Sequence, residues 1–241
     1  MIYSLWLQGE ANAPDLVRLN FRRWSDLNPG YRLEILDQTA VDDLLRGSGL
    51  RVSELPPQAL SDIVRARLLM DGGGIWVDAS LFPVVPLVQW LPDMMTEVGF
   101  FAFERPGPDR PLSSWFLAVT PSNHIMRAWW TEIERFWSKS RQMTVMISDD
   151  PVGAVSANSE GYPYFWFHYL FRLLIETDSK FAAAWARCVM ASAGPPHALQ
   201  GLLASDPNAK PEQIEQASRA APVQKLNWRT EYPLHLLGTL R

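Results

Sequence analysis

The sequence predicts an α/β fold with parallel strand pairing, and three observations carry that expectation. Residues 2–7 form a short apolar strand-like run, residues 14–25 follow with helical periodicity, and residues 31–36 alternate as a second strand. Strand–helix–strand at this spacing belongs to layered α/β architectures. Further on, Gly72-Gly73-Gly74 closes another helical stretch and opens directly into Ile75-Trp76-Val77-Asp78, a short central strand.

The elements follow in order. Ile2-Tyr3-Ser4-Leu5-Trp6 reads as a buried strand that breaks at Gly9. Pro14 opens a helix with apolar Leu16, Val17, Leu19 and Phe21, and Asn28-Pro29-Gly30 turns the chain into Tyr31–Leu36. A helical stretch covers Val41–Arg46, and the Pro56-Pro57 pair lies beyond it. Ser61 is placed as the N-cap of a helix over Asp62–Met70. Pro83 and Pro86 suggest irregular chain. Phe100–Phe103 and Trp115–Val119 read as strands, and Ile125–Trp137 and Tyr164–Glu176 as amphipathic helices. Residues 194–221, rich in Ala, Pro, Gln and Ser, are expected to be loosely packed. There is no internal repeat, and a single domain over 1–241 with a helical C-terminal part is the simplest division.

Composition narrows the function classes. The 241 residues are 47% hydrophobic and 20% charged, enough for a sizeable core without staples. A net charge of -4 argues against nucleic-acid binding, which needs clustered Lys and Arg. The local cluster of Arg18, Arg22 and Arg23 has Asp15 and Asp26 beside it and reads as a solvated helix face. Cys188 is the only cysteine, which excludes an internal disulfide and fits a reducing compartment. Its neighbours Trp185 and Val189 make it a buried structural thiol. The start of the chain lacks a charged signal-peptide region, and no apolar run reaches the ~18–20 residues of a membrane span. The expectation is a soluble, cytoplasmic protein, with peripheral association at the inner membrane face left open.

The chemistry concentrates between Ser61 and Ser80. On a helix Asp62 and Arg65 share one face. A carboxylate beside a guanidinium recognises a polyol and a phosphate together. Asp78 falls at the carboxyl end of its strand, where open α/β sheets place their ligand crevice. An acid there can hold a metal–diphosphate unit or a ribose hydroxyl. The same residues also allow a plain helix ion pair and a turn-capping Asp. A dinucleotide oxidoreductase is disfavoured, because the glycine run follows a helix instead of separating a strand from a helix.

The ordered string Ser61-Asp62-Ile63-x-Arg65-x-x-Leu68-Leu69-x-x-x-Gly73-Gly74-Ile75-Trp76-x-Asp78-Ala79-Ser80 resembles the core of the capsular polysaccharide synthesis glycosyltransferases, relatives of the family 32 sugar transferases. Ile2–Gly9 with Ala13-Pro14, Asn28–Tyr31, Tyr164–Leu170 and Lys225-Leu226-Asn227-Trp228 are similar to further parts of that family. The likeness is dense over roughly residues 2–85 and patchy beyond. It implies a GT-A-like nucleotide-sugar-binding fold with a mixed, mostly parallel sheet. It also implies a nucleotide-sugar donor, a saccharide or lipid-linked saccharide acceptor, and transfer with retention.

By that resemblance Leu5, Trp6 and Gln8 line the nucleotide pocket, and Asp62 and Arg65 contact the donor's sugar and phosphate. Asp78 is the first acid of an Asp-x-Asp motif that holds ribose and a divalent metal, Mn²⁺ or Mg²⁺, with Arg65 and Asp78 carrying catalysis. Position 80 departs from the motif: Ser80 is a poorer ligand than a carboxylate. Capsular relatives often carry a hydroxyl there. Some relatives also place acids at the positions of Pro163 and His168, which makes His168 a candidate polar or metal-contacting group, the other reading being a core histidine. Lys225 is either a diphosphate contact or a surface lysine, and Asp149-Asp150-Pro151 either an acid near the acceptor or a solvated loop. The eleven tryptophans offer faces for sugar stacking, although most should serve the core. A glycosyltransferase and a non-catalytic saccharide- or partner-binding member of the same fold both remain open on these residues.

Overall fold

The computed structural model describes residues 1–50, 55–138 and 162–240. Its elements run β1 (Ile2–Leu5), α1 (Asp15–Leu27), β2 (Leu33–Leu36), α2 (Gln38–Leu45), α3 (Pro57–Gly72), β3 (Gly74–Val77), β4 (Leu81–Pro83) and α4 (Leu91–Met94). They continue with β5 (Phe100–Gly107), β6 (Arg110–Val119), α5 (His124–Ser138), α6 (Trp166–Thr177), α7 (Ser179–Trp185) and β7 (Ala191–Ser192). The chain closes with α8 (Ala198–Ser205), α9 (Pro211–Ser218), β8 (Val223–Lys225) and α10 (Leu234–Leu237). The C-terminal part is helical, as expected.

The main sheet has the order β2-β1-β3-β6-β5-β7. β1 pairs in parallel with both β2 and β3, β5 pairs in parallel with β7, and β6 alone runs antiparallel to its two neighbours. The sheet is thus mixed and mostly parallel. Its strands alternate, so Trp76, Phe100, Ala102 and Leu117 face a core built with α3, α5, α6 and α7. Ile75, Val77, Phe101, Phe103 and Phe116 face the other side, where Trp24 and Trp90 cover them. The period-two pattern of a sheet buried on both faces leaves these runs almost entirely apolar.

Two local features position the site. In α1, the buried residues Val17, Asn20, Phe21 and Trp24 recur at helical spacing, and the helix lies along β4. At the other end of α3, Gly73 has φ +64 and a Cβ there would sit 2.6 Å from Val119 O. Only glycine fits so tight a passage from helix to strand. Among the described residues no helix is long and apolar enough to cross a membrane.

Several expectations are corrected. α3 begins at Pro57, capped by Pro56, because proline suits the first helical position, where no intrahelical N–H partner is lost. Ser61 is therefore not an N-cap, and Asp62 and Arg65 lie a turn inside the helix. Pro83 ends β4, which pairs with β8, instead of starting irregular chain. Residues 194–221 are not loose: α8 and α9 bury Leu199, Leu203 and Ile214 in a common cluster with Phe82 and Leu237. Arg23 is not on a solvated face; it donates to Pro83 O and Leu240 O, and its guanidinium lies 4.6 Å over the Phe82 ring. β1 stops at Leu5 because the chain turns through Trp6–Gly9, and β2 starts only at Leu33 because Tyr31 still belongs to the turn, its N–H donating to Asn28 O. Cys188 is buried, and burial pushes its thiol up to about 12, in keeping with a structural role.

Candidate functional site

Asp78-Ala79-Ser80 forms a bend joining β3 to β4. Asp78 N donates to Trp115 O, and Leu81 N donates back to Asp78 O. Neighbouring elements fix the bend through its carbonyls: Ser4 Oγ in β1 donates to Val77 O at 2.8 Å. From α1, Asn20 Nδ2 donates to Ala79 O at 2.8 Å and Trp24 Nε1 to Leu81 O at 2.9 Å. These backbone anchors come from residues 57 to 73 positions away along the chain, so the bend exists only once β1 and α1 have docked.

Asp78 is held from three directions. Its Oδ1 accepts from the Trp76 indole at 3.0 Å and lies 3.3 Å from Arg65 Nη2. Its Oδ2 accepts from Lys225 Nζ at 3.0 Å, and the same ammonium donates to Ser80 Oγ at 2.5 Å. Behind this group, Arg65 Nη1 lies 3.1 Å from Asp62 Oδ1 and donates to Ser114 O at 2.9 Å, while Nη2 donates to Ser61 Oγ at 2.9 Å. The guanidinium also sits 5.0 Å over Trp76, a favourable cation–π position.

Exposure sorts these groups into layers. The Arg65 and Asp62 side chains are each 5% exposed, whereas Asp78 and Lys225 are 24% and 20% exposed. Burial pushes the Asp62 carboxyl up to about 7, with Arg65 opposing the rise and the Asp78 charge adding to it. Burial would raise Asp78 as well. The Lys225 ammonium, the Arg65 guanidinium and the hydrogen bonds from Trp76 and Lys225 outweigh it, and hold Asp78 well below the usual carboxylate range. The arrangement is an ionised carboxylate with a partly exposed ammonium, backed by a buried guanidinium.

The structure thus joins Asp62, Arg65, Asp78, Ser80 and Lys225 in one network. It places Asp62 and Arg65 behind Asp78, each 5% exposed, with both Arg65 Nη nitrogens hydrogen-bonded or paired to protein groups. Trp6 approaches the bend from the other side, clustered with Ala79 and Trp228, and its ring meets that of Trp228 edge-on at 5.3 Å. Leu5 points to the opposite face of the sheet, into the core beneath α3. Gln8 is exposed in the turn after β1. His168 is buried in α6, and no hydrogen bond joins it to Asp78 or Ser80 among the described residues. Burial, with Arg65 and Arg110 nearby, drives its pKa down to about 3, so the imidazole is neutral. Asp149-Asp150-Pro151 lies outside the described residues.

The residues around the bend do not fit the divalent ion implied by the Asp-x-Asp resemblance. Such ions take six or more oxygen ligands, with carboxylates prominent among them. Here Asp78 stands with a neutral hydroxyl, and an ammonium already bridges the two. No three His, Cys, Asp or Glu side chains converge among the described residues.

Sequence reasoning passed over Asn20 and, although it quoted Ser61, Trp76 and Trp228, gave those three no contact at the site. Trp76 was findable, since it precedes Asp78 by two residues and so shares its strand face. Separately, a cavity of about 480 Å³ lined by Leu7, Gln38, Val41, Asp42, Leu45 and others opens near the carboxyl ends of β1 and β2.

The profile of the family described as "Capsular polysaccharide synthesis protein" matches residues 1–149 and 154–235. The chain belongs to that family. Among relatives of this capsular polysaccharide synthesis family member is the "O-glycosyltransferase braB" of Annulohypoxylon truncatum, 28% identical over 163 residues, covering 56% of this chain and 37% of the relative. Another, "Putative glycosyltransferase HOC1" of Saccharomyces cerevisiae, is 22% identical over 147 residues, covering 52% of this chain and 37% of that protein. The family member described here therefore matches little more than a third of the length of either curated relative. Among solved structures, "PaToxG Glycosyltransferase" aligns at a TM-score of 0.43 and 16% identity, over 91% of this chain and 83% of that one.

Proposed function

We propose that this chain is a glycosyltransferase that moves a sugar from a nucleotide-sugar donor to a hydroxyl of a saccharide acceptor, free or lipid-linked, in the assembly of capsular or other surface polysaccharide. The observation that carries the reading is topological. From β1 the chain passes to β2 on one side and then to β3 on the other. The crevice of an open α/β sheet lies at such a reversal, outside the carboxyl ends of the strands. Trp6 follows β1 there and Asp78 follows β3, so the Asp78–Lys225 network, with its partly exposed members, falls at the mouth of that crevice in this reading. Family membership and the names of the two relatives point the same way.

In this reading the chemistry is electrostatic. The bond from the anomeric carbon to the diphosphate breaks with its electron pair leaving on the phosphate oxygen. The acceptor oxygen bonds to the anomeric carbon on the same face, and its proton passes to the departing diphosphate. Among the described residues no side chain stands out as a nucleophile, which favours this dissociative, retaining course over a double displacement. Lys225, positioned by Asp78, stabilises the charge growing on the leaving group. Arg65 and Asp62 are positioning residues that fix Asp78, and Trp6 and Trp228 offer aromatic faces to base or sugar.

A thermal-shift screen of UDP, GDP and their sugar conjugates tests the binding. A ligand present at ~100 times its dissociation constant adds roughly 2.7 kcal/mol, and one nucleotide series should stand out. With that donor identified, Asp78→Asn should lower turnover by about 100-fold; wild-type turnover would remove Asp78 from the mechanism. A chain that binds saccharides but no nucleotide is instead a non-catalytic binding member of the family.

A further inference from the structure

We infer that Lys225 is the built-in cation of this site, occupying the place between Asp78 and Ser80 so that nucleoside diphosphate binding needs no divalent metal. The inference rests on the nucleotide-sugar reading above and concerns how the diphosphate is held.

The position of Lys225 is set by backbone pairing. β8 runs antiparallel to β4 with Lys225 opposite Leu81, and Leu226 N donates to Ser80 O at 3.1 Å. The strand that follows the bend therefore recruits a segment some 145 residues further along the chain, and the register puts the ammonium beside the bend. Its Nζ lies 3.0 Å from Asp78 Oδ2 and 2.5 Å from Ser80 Oγ. These are the first and third positions of the Asp-x-Ser run, the two side chains from which an Asp-x-Asp motif would present oxygens to an ion.

Charge matching explains why the two substitutions belong together. Two carboxylates balance a doubly charged ion, whereas one carboxylate balances one ammonium. With Ser80 in place of an acid and Lys225 in place of an ion, the Asp78–Lys225 pair cancels just as two carboxylates and a divalent ion would. The hydroxyl still serves, because an ammonium wants acceptors of any kind and has three donors to place. Asp78 and Ser80 take two of them. The side chain is 20% exposed, which leaves the third available to an anionic oxygen entering the crevice. A divalent ion entering the same place would face the ammonium at contact distance, with the Arg65 guanidinium on the far side of Asp78.

The test compares UDP and GDP binding by calorimetry in EDTA and in excess Mn²⁺. The inference expects affinities that agree within about twofold, a difference below about 0.5 kcal/mol. Lys225→Ala should weaken binding by about 10- to 100-fold in EDTA, as expected for loss of a charged hydrogen bond. The double substitution Ser80→Asp with Lys225→Ala should recover affinity only when Mn²⁺ is added, which is the signature of an exchanged cation. Wild-type binding that requires Mn²⁺ overturns this inference and leaves the transferase reading standing. Failure to bind either nucleotide under both conditions overturns the transferase reading and this inference with it. The wild-type comparison needs no variant to fold, and melting temperatures qualify the substituted chains.

Discussion

Two clusters in this molecule bring together an aspartate, an arginine and aromatic rings, and they are built on opposite principles. At the β3–β4 bend, Asp78 meets Arg65 from α3, Lys225 from β8 and the indole of Trp76. At the tip of the β5–β6 hairpin, Asp109 pairs with its own neighbour Arg110 and accepts a hydrogen bond at 2.8 Å from Tyr169 OH of α6. There Arg110 also lies 4.0 Å over the Phe165 ring. The first cluster requires the whole fold, and its guanidinium is 5% exposed. The second ties the hairpin tip to Phe165 and Tyr169, and its guanidinium is 21% exposed. Burial makes each contact in the first dear to break, while solvent screens those in the second. His168 lies between them and feels charges from both. The bend thus rests its partly exposed carboxylate and ammonium on a buried guanidinium, whereas the hairpin cluster has no fully buried charge among the described residues.

The largest expected effect tests that contrast directly. Arg65→Ala leaves Asp62 and Asp78 without their shared partner and should cost about 3–5 kcal/mol in urea unfolding. Arg110→Ala should cost about 1 kcal/mol or less, as partly exposed pairs do. Equal losses would break the comparison. Next in size is the pH dependence. Because the Asp62 carboxyl sits at about 7 in the fold, the folded chain keeps a proton that the unfolded chain gives up near pH ~4. The stability it contributes is fully present below that value and is lost as pH rises through about 7. Asp62→Asn should therefore flatten the decline between roughly pH 4 and 7, by a few kcal/mol over the window. Asp78 acts in the opposite sense: held low, it contributes stability present at neutral pH and lost on acidification. A variant with an unchanged slope would mean that Asp62 is ionised throughout.

The difference between the clusters also marks what the sequence could reveal. The bend itself was legible, because a glycine run forced between helix and strand puts Asp78 at a strand end regardless of tertiary detail. The Asp62–Arg65 pairing was legible from helical spacing. Their burial was not, because charged residues at the second turn of a helix look solvated until α5, α6 and β6 close over them. Ser61 was misplaced for a related reason: Pro56-Pro57 reads equally as a turn or as a helix start, and only the docked helix decides. β4 and β8 were invisible, being three residues each, too short for any periodicity and paired across most of the chain. That pairing is what brings Lys225 to Ser80, so whether it was a surface lysine or a site residue could not be read locally. In residues 194–221 the signal was present and passed over. Leu199 and Leu203 are one helical turn apart, and an Ala- and Gln-rich stretch favours helix.

The smallest effect sharpens the comparison from the hairpin side. Tyr169→Phe removes a long-range hydrogen bond to Asp109 and keeps the ring, so it should cost about 1 kcal/mol. It should also let the Asp109 carboxyl rise. Burial alone would push that group up, and the bond from Tyr169, with its own backbone N–H and Arg110, is what holds it below the usual range. Titration of Asp109 followed by carboxyl NMR reads this separately from stability. If the substitution leaves nucleotide affinity intact while raising the Asp109 pKa, the hairpin cluster is independent of the bend. If affinity falls as well, the two clusters communicate, and α6, which carries both Tyr169 and the buried, neutral His168, is the element in which to seek that coupling by further substitution.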